Sequence, residues 1–418
     1  MSKITILLDH PRRDLLFSVL IQRHIGPRAV IDLQDGYFTP DGPNFFSRSR
    51  HESVILTPSF HVKRTRFLSL RKSFSKSKLV ILHSEQFIPE NIYNEKLNLS
   101  FLDEYNKIVD FHFVWGEYYK EILVRNGIPA EKIKIVGYPK FDILDIIKNR
   151  FQIESNRCIL FISNFNYADF DPEGWEIFKR EFSYREDFDD NKYYKTARCE
   201  FIKTVKRASL DYPNSQIILR LHPGEARSSY SMLEGVQNIE ISSANNLVVD
   251  LMRSFVVFQF DSSVIFESIY LGIPTFAVKF VEMPEKSMQP PAGSFIWYKI
   301  DQVKLLIDAP HKYESSINKQ NMEYYFSNNT NRCLKIAGLL CELDSSENCR
   351  QFSSLFTTVG LEMIFKTCYC YVFTKTIFKK FVFFNKKILN SYQCWLDGEH
   401  AVLNADIQNV DEILTEKK

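Results

Sequence analysis

Short apolar runs alternate with helical patterns through most of the chain. A run of about four to six apolar residues between polar turns is typical of a buried parallel strand, whereas apolar residues three and four positions apart indicate a helix. Regular alternation of the two predicts an α/β fold with doubly wound parallel sheets. The predicted strands are residues 4–8, 29–33, 53–57, 78–82, 111–115, 133–136, 158–162, 216–219, 255–260 and 275–278.

The alternation is interrupted at residues 148–156, a polar stretch without a strand pattern. We therefore predict two domains, at residues 1–147 and 156–316. Two domains suit a chain of 418 residues, because that length exceeds one ordinary core. Residues 317–344 are predicted to form one long helix that returns toward the first domain, and residues 345–418 to form a helical tail with a loose end.

Two turns of the second domain place polar groups directly after buried strands. One reads Arg-Leu-His-Pro-Gly-Glu at residues 220–225, and the other reads Phe-Asp-Ser-Ser at residues 260–263. Ligands of open parallel sheets bind just past the carboxyl ends of the strands, and a helix that begins after each turn would add free amides and its dipole. We expect the two turns to follow neighbouring strands and to grip the same nucleotide phosphate.

Each side chain in these turns also has a structural interpretation. His222 can donate to a phosphate oxygen, with Pro223 starting the next helix, or it can be a polar cap. Arg220 can bind phosphate through two parallel hydrogen bonds, or it can form a buried ion pair. Ser262 and Ser263 can hold phosphate, cap the helix that follows, or do both.

The overall charge favours no particular class of partner. The net charge is +2 in an ordinary globular composition, so no nucleic-acid partner is predicted. The eight cysteines lack metal-ligand spacing, so reduced thiols and no zinc site are expected. The sequence begins with a strand rather than a signal-peptide pattern, and no apolar run is long enough to cross a bilayer, so we expect a cytoplasmic protein.

The tail contains a basic and aromatic segment at residues 363–396. It has no acidic residue, and from Lys375 onward its lysines fall on one half of a helical wheel, opposite most of the apolar residues. The pattern fits a helix that lies on an anionic membrane surface, or a helix packed on the second domain with its lysines in water. Another basic stretch, at residues 63–77, is interpreted as a solvated helix face. The tail lysines are Lys366, Lys375, Lys379, Lys380, Lys386 and Lys387.

Six short motifs follow one another along about residues 1–340. They are residues 8–14, 83–86, 115–118, 137–142, 220–225 and 261–263, the last with Glu267. In this order and spacing they resemble bacterial surface-carbohydrate biosynthesis proteins of the GT-B fold. Relatives of that family include Kdo transferases of capsule and lipopolysaccharide, CDP-glycerol glycerophosphotransferases and bacterial sialyltransferases. Gln86 stands where related sequences often have a second acidic residue, and Leu221 where they often have proline.

The resemblance implies two Rossmann-like domains that face each other across a cleft, and a glycosyltransferase activity. The second domain would bind a nucleotide-sugar donor, in the first place CMP-linked Kdo or a related nonulosonic acid. The first domain would bind a growing or lipid-linked glycan, which docking of the tail at the inner membrane would suit. UDP-hexose and CDP-glycerol are alternative donors. A catalytically inactive scaffold of envelope assembly and a sugar-nucleotide epimerase of the same fold are alternatives of other kinds.

The predicted donor site extends beyond the two turns, to Glu267 through the resemblance and to Asn164 and Lys140 because they follow strand ends. Glu267 would bind the ribose hydroxyls, although a position about one turn into a helix also suits a solvated residue. Asn164 would hold phosphate or organise its own turn. Lys140 would touch the donor or lie on the surface. Gly224 belongs to the donor site with the rest of its motif, and no cofactor beyond the donor is expected.

A transferase also needs a carboxylate close to the anomeric carbon. It deprotonates the acceptor hydroxyl, or it acts as a covalent nucleophile in a double displacement. Glu85, Asp9 and Asp14 are the candidates in the first domain. Glu85 is the first choice, because Asp9 can instead cap the helix that follows it and Asp14 can form an ion pair on the surface of that helix.

The sequence Asp-Phe-Asp at residues 169–171 matches the Asp-x-Asp pattern of metal-binding motifs. It lies in an acidic insertion rather than at a strand end, so we interpret it as a solvated loop. A GT-B enzyme can stabilise the leaving phosphate with helix dipoles and cations, so the predicted activity is independent of metal.

Overall fold

A computed structural model describes much of the chain between residues 2 and 344. The described ranges are 2–8, 11–35, 54–58, 77–83, 86, 108–150, 158–171, 173–176, 190–222, 224–242, 247–260, 262–281, 296–317 and 319–344. These residues form two six-stranded parallel sheets. The predicted tail, with its basic segment 363–396, and nearly all of the basic stretch 63–77 lie outside the described ranges, so both interpretations stay predictions.

The first sheet uses strands from the amino-terminal part of the chain. All of its strands are parallel, in the order β2-β1-β3-β4-β5-β6. After its first residue β4 is buried throughout, as expected of a parallel strand covered on both faces. The strands are β1 (Ser2–Leu8), β2 (Ala29–Asp35), β3 (Val54–Pro58), β4 (Lys78–Leu82), β5 (Phe111–Val114) and β6 (Ile133–Ile135).

The second sheet is also parallel throughout, in the order β12-β11-β10-β7-β8-β9. The chain builds outward from β7 to β8 and β9, and then crosses to β10 on the other side. The junction between β7 and β10 is therefore a topological switch point, where open α/β sheets bind their ligands. The strands are β7 (Cys158–Ile162), β8 (Ile217–Arg220), β9 (Ile239–Ile241), β10 (Ser254–Gln259), β11 (Thr275–Lys279) and β12 (Trp297–Lys299).

Helices connect the strands of both sheets. Helix α3 continues to the last described residue before 151–157, so the first residues of the predicted linker 148–156 are helical. The α-helices among the described residues are α1 (Pro11–Ile25), α2 (Glu117–Arg125), α3 (Lys140–Arg150), α4 (Asp190–Asp211), α5 (Leu247–Met252), α6 (Val264–Tyr270), α7 (Val303–Asp308), α8 (Lys319–Phe326) and α9 (Arg332–Asp344).

The strand predictions are confirmed. Every predicted strand is present, and its ends shift by two residues at most. No range was predicted for the edge strands β9 and β12, each of which has three residues. Gly127 and Gly272 follow α2 and α6 with positive φ of 88° and 81°, a conformation in which glycine commonly ends a helix.

The single long helix predicted at residues 317–344 is wrong. The structure has two helices, α8 and α9, separated by the sequence Ser-Asn-Asn-Thr-Asn at residues 327–331. Ser327 and Asn331 have positive φ values of 53° and 54°, a conformation that short polar side chains tolerate in turns. The break lets α8 pack on α2 while α9 packs on α1, as expected of a segment that returns to the first sheet.

The motif at residues 115–118 forms the seat of α8. A Cβ atom on Gly116 would lie 2.4 Å from the backbone carbonyl carbon and oxygen of Tyr325, so only glycine fits there. Tyr118 meets the rings of Tyr324 and Tyr325 at centroid distances of 5.8 and 5.0 Å. In this chain the motif therefore serves helix packing.

The motif at residues 137–142 fixes α9 to α3. The Asp142 carboxylate accepts hydrogen bonds from Arg332 Nη1 at 3.0 Å and from the backbone N–H of Cys333 at 2.7 Å. Gly137 has a φ of 84°, and a Cβ there would lie 2.9 Å from the Arg332 side chain. These contacts anchor the start of α9 where the two halves of the molecule meet.

Candidate active site

The two predicted phosphate turns lie at the same edge of the second sheet. They follow β8 and β10, and the carboxyl ends of parallel strands share one edge. We predicted that the two turns follow neighbouring strands. This prediction is wrong, because β7 lies between β8 and β10. With about 4.8 Å between adjacent strands, the two strand ends are about 10 Å apart. Asn164 follows β7 and therefore occupies the position between the turns.

His222 is oriented by its own loop. Its Nδ1 accepts a hydrogen bond from the backbone N–H of Gly224 at 3.1 Å, and its backbone N–H donates to Ser163 Oγ at 3.3 Å. Because Nδ1 is an acceptor, the neutral ring carries its proton on Nε2. A Cβ on Gly224 would approach Nδ1 to 3.3 Å, so glycine keeps this contact close. The resulting tautomer offers an N–H donor that suits a phosphate oxygen.

The loop after β8 differs from the prediction. Within residues 224–242, the first helical segment is a 3-10 helix at Arg227–Leu233, so no α-helix begins at the His-Pro turn. The predicted contribution of a helix dipole at His222 is therefore wrong. Pro223 lies outside the described residues. Two carboxylates, rather than a continuing helix, hold this loop in place.

The first of these carboxylates is Glu225. Its Oε1 accepts from the backbone N–H of Phe165 at 2.7 Å, and its Oε2 accepts from the Tyr230 hydroxyl. Burial raises the pKa of Glu225, and burial together with the charge of Glu225 raises the pKa of Tyr230. Since Phe165 comes just after β7, Glu225 ties the β8 loop to the β7 turn.

The second carboxylate is Asp169. It accepts hydrogen bonds from the backbone N–H of Ala226 at 2.9 Å, from Ser229 Oγ at 2.9 Å and from the Arg198 guanidinium. Asp169 is exposed, as expected of a solvated loop, and it also braces the candidate site through these hydrogen bonds. Among the residues that the structure describes, no group of three or more His, Cys, Asp or Glu side chains could hold a metal ion.

Arg220 forms the ion pair that was one of its two interpretations. Its Nη1 lies 2.7 Å from Asp250 Oδ2, and the Ser242 hydroxyl donates to the same oxygen at 2.7 Å. The Asp250 side chain is fully buried. At least one arm of the guanidinium is therefore committed to the interior rather than offered to a phosphate.

The Ser-Ser turn opens α6, as predicted. The backbone N–H of Ser262 donates to Gln259 Oε1 at 2.6 Å, and the backbone N–H of Val264 donates to Ser262 Oγ at 3.4 Å. Ser263 occupies the cap position but makes no side-chain capping bond, and it is exposed. Capping therefore falls to Ser262, and the Ser263 hydroxyl is not committed to the helix.

Glu267 is buried where the two halves of the molecule meet. Its side chain is only 3% exposed, so the interpretation as a solvated residue is wrong. Oε1 accepts from Lys140 Nζ at 2.6 Å and from the Tyr138 hydroxyl at 3.4 Å, so Lys140 is not a plain surface lysine either. Within the described part of the chain, Oε2 has no hydrogen-bond partner. An unpaired buried polar atom costs about 1–3 kcal/mol, so this oxygen is suited to accept from a ligand.

Only one of the three candidate catalytic acids lies among the described residues. Asp14 is buried, with 2% exposure, and lines a small cavity between α1 and the first sheet together with Leu56 and Leu82. Asp14 is therefore not on the surface of α1, and its catalytic role stays a prediction. Glu85 and Asp9 lie outside the described residues and stay predictions.

Gln86 holds the end of β4. Its Nε2 donates to the backbone carbonyl of His83 at 2.8 Å, and its Oε1 accepts from the backbone N–H of Trp115 at 2.9 Å. An ionised acid could not donate to that carbonyl. The departure from the acidic family pattern at this position thus connects the ends of β4 and β5.

A buried histidine pair lies at the same strand ends. His83 Nε2 and His112 Nδ1 are 3.1 Å apart, and the two rings stack with centroids 5.4 Å apart. Burial, reinforced by the positive charge of Lys132, lowers the pKa of His112 to about 3. His112 is therefore neutral in the folded protein at physiological pH.

We expect the protein to lose stability as the pH falls below about 6.5, the pKa of a histidine in an unfolded chain. Below that value His112 binds a proton in the unfolded chain, whereas in the folded protein it stays neutral until about pH 3. The contribution of His112 is fully present above pH 6.5 and decreases by about 1.4 kcal/mol for each pH unit below it. Urea unfolding at pH 7.5 and 5.5 measures the effect. His112→Asn should lose about 1.4 kcal/mol less between these pH values, and an equal loss in both proteins contradicts the assignment.

Several residues that build the site carry no recognisable signal in the sequence. Asp250 and Arg198 each contact a charged residue of the loops from another element, and Tyr230 contacts Glu225 from five residues further along the same loop. Only the strand order and the path of the loops bring these partners together. A periodic pattern reports which face of an element is buried, and it does not report which charged residue of another element will be adjacent.

Comparison with solved structures finds this architecture in enzymes of two kinds. The UDP-GlcNAc 2-epimerase from Methanocaldococcus jannaschii, in complex with UDP-GlcNAc and UDP, matches 82% of this chain and 100% of its own, with a TM-score of 0.52 and 15% identity. The wall teichoic acid polymerase TagF matches 83% of this chain and 90% of its own, with a TM-score of 0.52 and 12% identity. The UDP-GlcNAc 2-epimerase from Neisseria meningitidis bound to UDP-GlcNAc matches 82% and 100%, with a TM-score of 0.50 and 14% identity.

No family model matches the sequence, and no curated protein matches it. At this level of identity the likeness to solved structures shows the fold alone. That fold is the predicted GT-B arrangement of two parallel-sheet α/β domains, so the fold class is confirmed. Each helix in the described part of the chain is too short or too polar to span a bilayer.

Proposed function

We propose that this protein is a glycosyltransferase of surface polysaccharide synthesis that takes its sugar from a nucleotide-sugar donor. The main support is the set of polar groups at the carboxyl edge of the second sheet. His222 and Ser263 provide N–H and O–H donors suited to phosphate, Asn164 follows β7 between them, and the unpartnered oxygen of Glu267 is suited to ribose hydroxyls. A teichoic acid polymerase and epimerases that bind UDP-GlcNAc share the fold, which agrees with a nucleotide-linked substrate.

The donor in this proposal is CMP-linked Kdo or a related nonulosonic acid. The support is the resemblance of the His-Pro and Ser-Ser turns to CMP-binding motifs of enzymes that transfer Kdo or sialic acid. UDP-hexose and CDP-glycerol are the alternative donors. The acceptor is a growing or lipid-linked glycan held by the first half. Docking of residues 363–396 on an anionic membrane belongs to the same proposal, and co-sedimentation of the chain with anionic vesicles tests it.

The chemistry that we propose divides between the two halves. The acceptor hydroxyl oxygen attacks the anomeric carbon, the bond from that carbon to the phosphate oxygen breaks, and the nucleotide leaves with the electron pair. A carboxylate of the first half, with Glu85 as the first candidate, takes the hydroxyl proton. In a double displacement the same carboxylate attacks first. Hydrogen bonds from His222 and Ser263 to the leaving phosphate stabilise its growing charge without a metal ion.

We expect CMP to raise the melting temperature more than CDP or UDP does. A nucleotide that binds only the folded chain stabilises it by about 2.7 kcal/mol at a concentration of 100 times its dissociation constant. Thermal unfolding of the full chain with each nucleotide measures the order. A larger shift with UDP or CDP would move the proposal to the alternative donors, and the absence of a shift with all three would overturn it in favour of an inactive scaffold.

An epimerase of the same fold is the second candidate. The observation in its favour is that the two epimerase structures match this chain over 100% of their own length. The two activities differ in their need for an acceptor. An epimerase converts a sugar nucleotide when no other substrate is present, whereas a transferase releases the nucleotide only when an acceptor glycan is added. Chromatography of the nucleotide products with and without acceptor therefore separates them.

A further inference from the structure

The contact between Lys140 and Glu267 joins the two halves of the molecule at the candidate donor site. Lys140 is the first residue of α3, which follows the last strand of the first sheet, and Glu267 lies in the first turn of α6, which follows β10 of the second sheet. Their 2.6 Å contact brings together two residues that are 127 positions apart in the chain. The donor site of the second half is therefore completed by a side chain of the first half.

This contact leaves the two oxygens of Glu267 in different states. Oε1 accepts hydrogen bonds from both Lys140 Nζ and the Tyr138 hydroxyl, so its position is determined by residues of the first half. Oε2 is equally buried and has no hydrogen-bond partner among the described residues. The carboxylate is thus fixed through one oxygen, and the other is left to accept from a group outside the described protein atoms. A hydroxyl is the chemical group that suits it, because an acceptor-only oxygen needs a donor.

Further contacts between α3 and α6 hold Lys140 next to Glu267. The Phe141 ring of α3 stacks on the Tyr270 ring of α6 at 3.8 Å with an interplanar angle of 11°. The Tyr270 hydroxyl donates to the Asp145 carboxylate, with distances of 2.9 and 2.8 Å to its two oxygens. Helices α3 and α6 are therefore fixed to each other one helical turn beyond the ion pair, which limits the positions that Lys140 can take.

We propose that Lys140 is a positioning residue for donor recognition: it orients the Glu267 carboxylate so that Oε2 accepts from the vicinal hydroxyls of the donor nucleoside. This inference rests on the proposed function and adds a contribution from the opposite half of the molecule. It makes the affinity for the nucleoside depend on the junction between the two halves. Lys140 acts through Glu267 and does not itself contact the hydroxyls.

The inference predicts a loss of affinity that depends on the ribose hydroxyls. Lys140→Met should weaken CMP binding about 10–100-fold, the equivalent of one hydrogen bond to a charged group. It should leave the affinity for 2′,3′-dideoxy-CMP unchanged, because that nucleotide has no hydroxyls for Oε2 to accept from. Lys140→Arg should recover part of the loss, since it keeps a charged donor at this position.

Isothermal titration of the full chain with the two nucleotides tests the inference. Lys120→Met is the matched control, because Lys120 forms a 3.0 Å ion pair with Glu117 on the exposed face of α2, and neither affinity should change. If Lys140→Met does not fold, Lys140→Gln replaces it, because it also removes the charge that holds Glu267, and it should give a selective loss in the same direction. An equal loss for both nucleotides, or no loss, overturns the role of Lys140 and leaves the proposed function intact. A wild-type chain that binds neither nucleotide overturns the proposed function itself.

Discussion

Replacing His222 by alanine is expected to lower kcat/KM for sugar transfer by about 10²–10³, the usual effect of removing one hydrogen-bond donor to a developing negative charge. The reason is that His222 keeps its donor proton on Nε2, since Nδ1 already accepts from the N–H of Gly224. The same variant should also reduce the thermal stabilisation by CMP. Initial rates with a nucleotide-sugar donor and an acceptor glycan measure the first effect.

Loss of folding would not explain this result. The hydrogen bond between the His222 side chain and Gly224 lies within one loop, and its loss should lower the free energy of unfolding by about 1 kcal/mol. His311→Ala is the control, because His311 is exposed and lines a pocket with Gly272 and Pro274, before the start of β11 and at the opposite edge of the sheet. A His222→Ala enzyme with unchanged kcat/KM would remove His222 from the reaction.

Replacing Gly116 by alanine is expected to lower the free energy of unfolding by about 3 kcal/mol. This is the upper end of the usual cost of adding a carbon atom to a well-packed interior. The added Cβ would lie 2.4 Å from the carbonyl of Tyr325 and 2.5 Å from that of Tyr324. These are backbone atoms of α8, so no side chain can rotate to make room. Thermal or urea unfolding of the variant measures the loss.

Gly338→Ala provides a control of opposite sign. Gly338 lies within α9, and a Cβ there would meet nothing within 4 Å. Alanine should therefore stabilise the protein by about 0.5–1 kcal/mol, because it reduces the freedom of the unfolded chain and favours the helix. If the two substitutions have equal effects, the close approach of α8 to Gly116 is wrong.

The strands could be predicted because a parallel strand covered on both faces is a near-continuous apolar run. The site could be predicted in part for a related reason. His222, Ser262 and Ser263 each follow such a run, and the carboxyl ends of parallel strands share one edge. The family resemblance added Glu267, whose burial agrees with a role inside the site rather than on the surface.

The mistaken predictions share one physical cause, which is that local patterns do not report contacts between distant elements. The pattern at residues 317–344 continues through a turn because both helices bury an apolar face, although they pack on different surfaces. The helix expected after His222 does not form because Glu225 and Asp169 bind the loop to the β7 turn. Asp14 is buried although two arginines, Arg12 and Arg13, precede it in the sequence.

The sequence by itself determined the two parallel sheets, their strands and the polar turns at their ends, since burial of each strand leaves its mark on consecutive residues. The tertiary structure alone decided that β7 separates the two phosphate turns, that Arg220 is paired with Asp250, and that Lys140 reaches Glu267. The order of strands and the position of one half against the other follow from the packing of whole elements. No local pattern records that packing, because it depends on residues far apart in the chain.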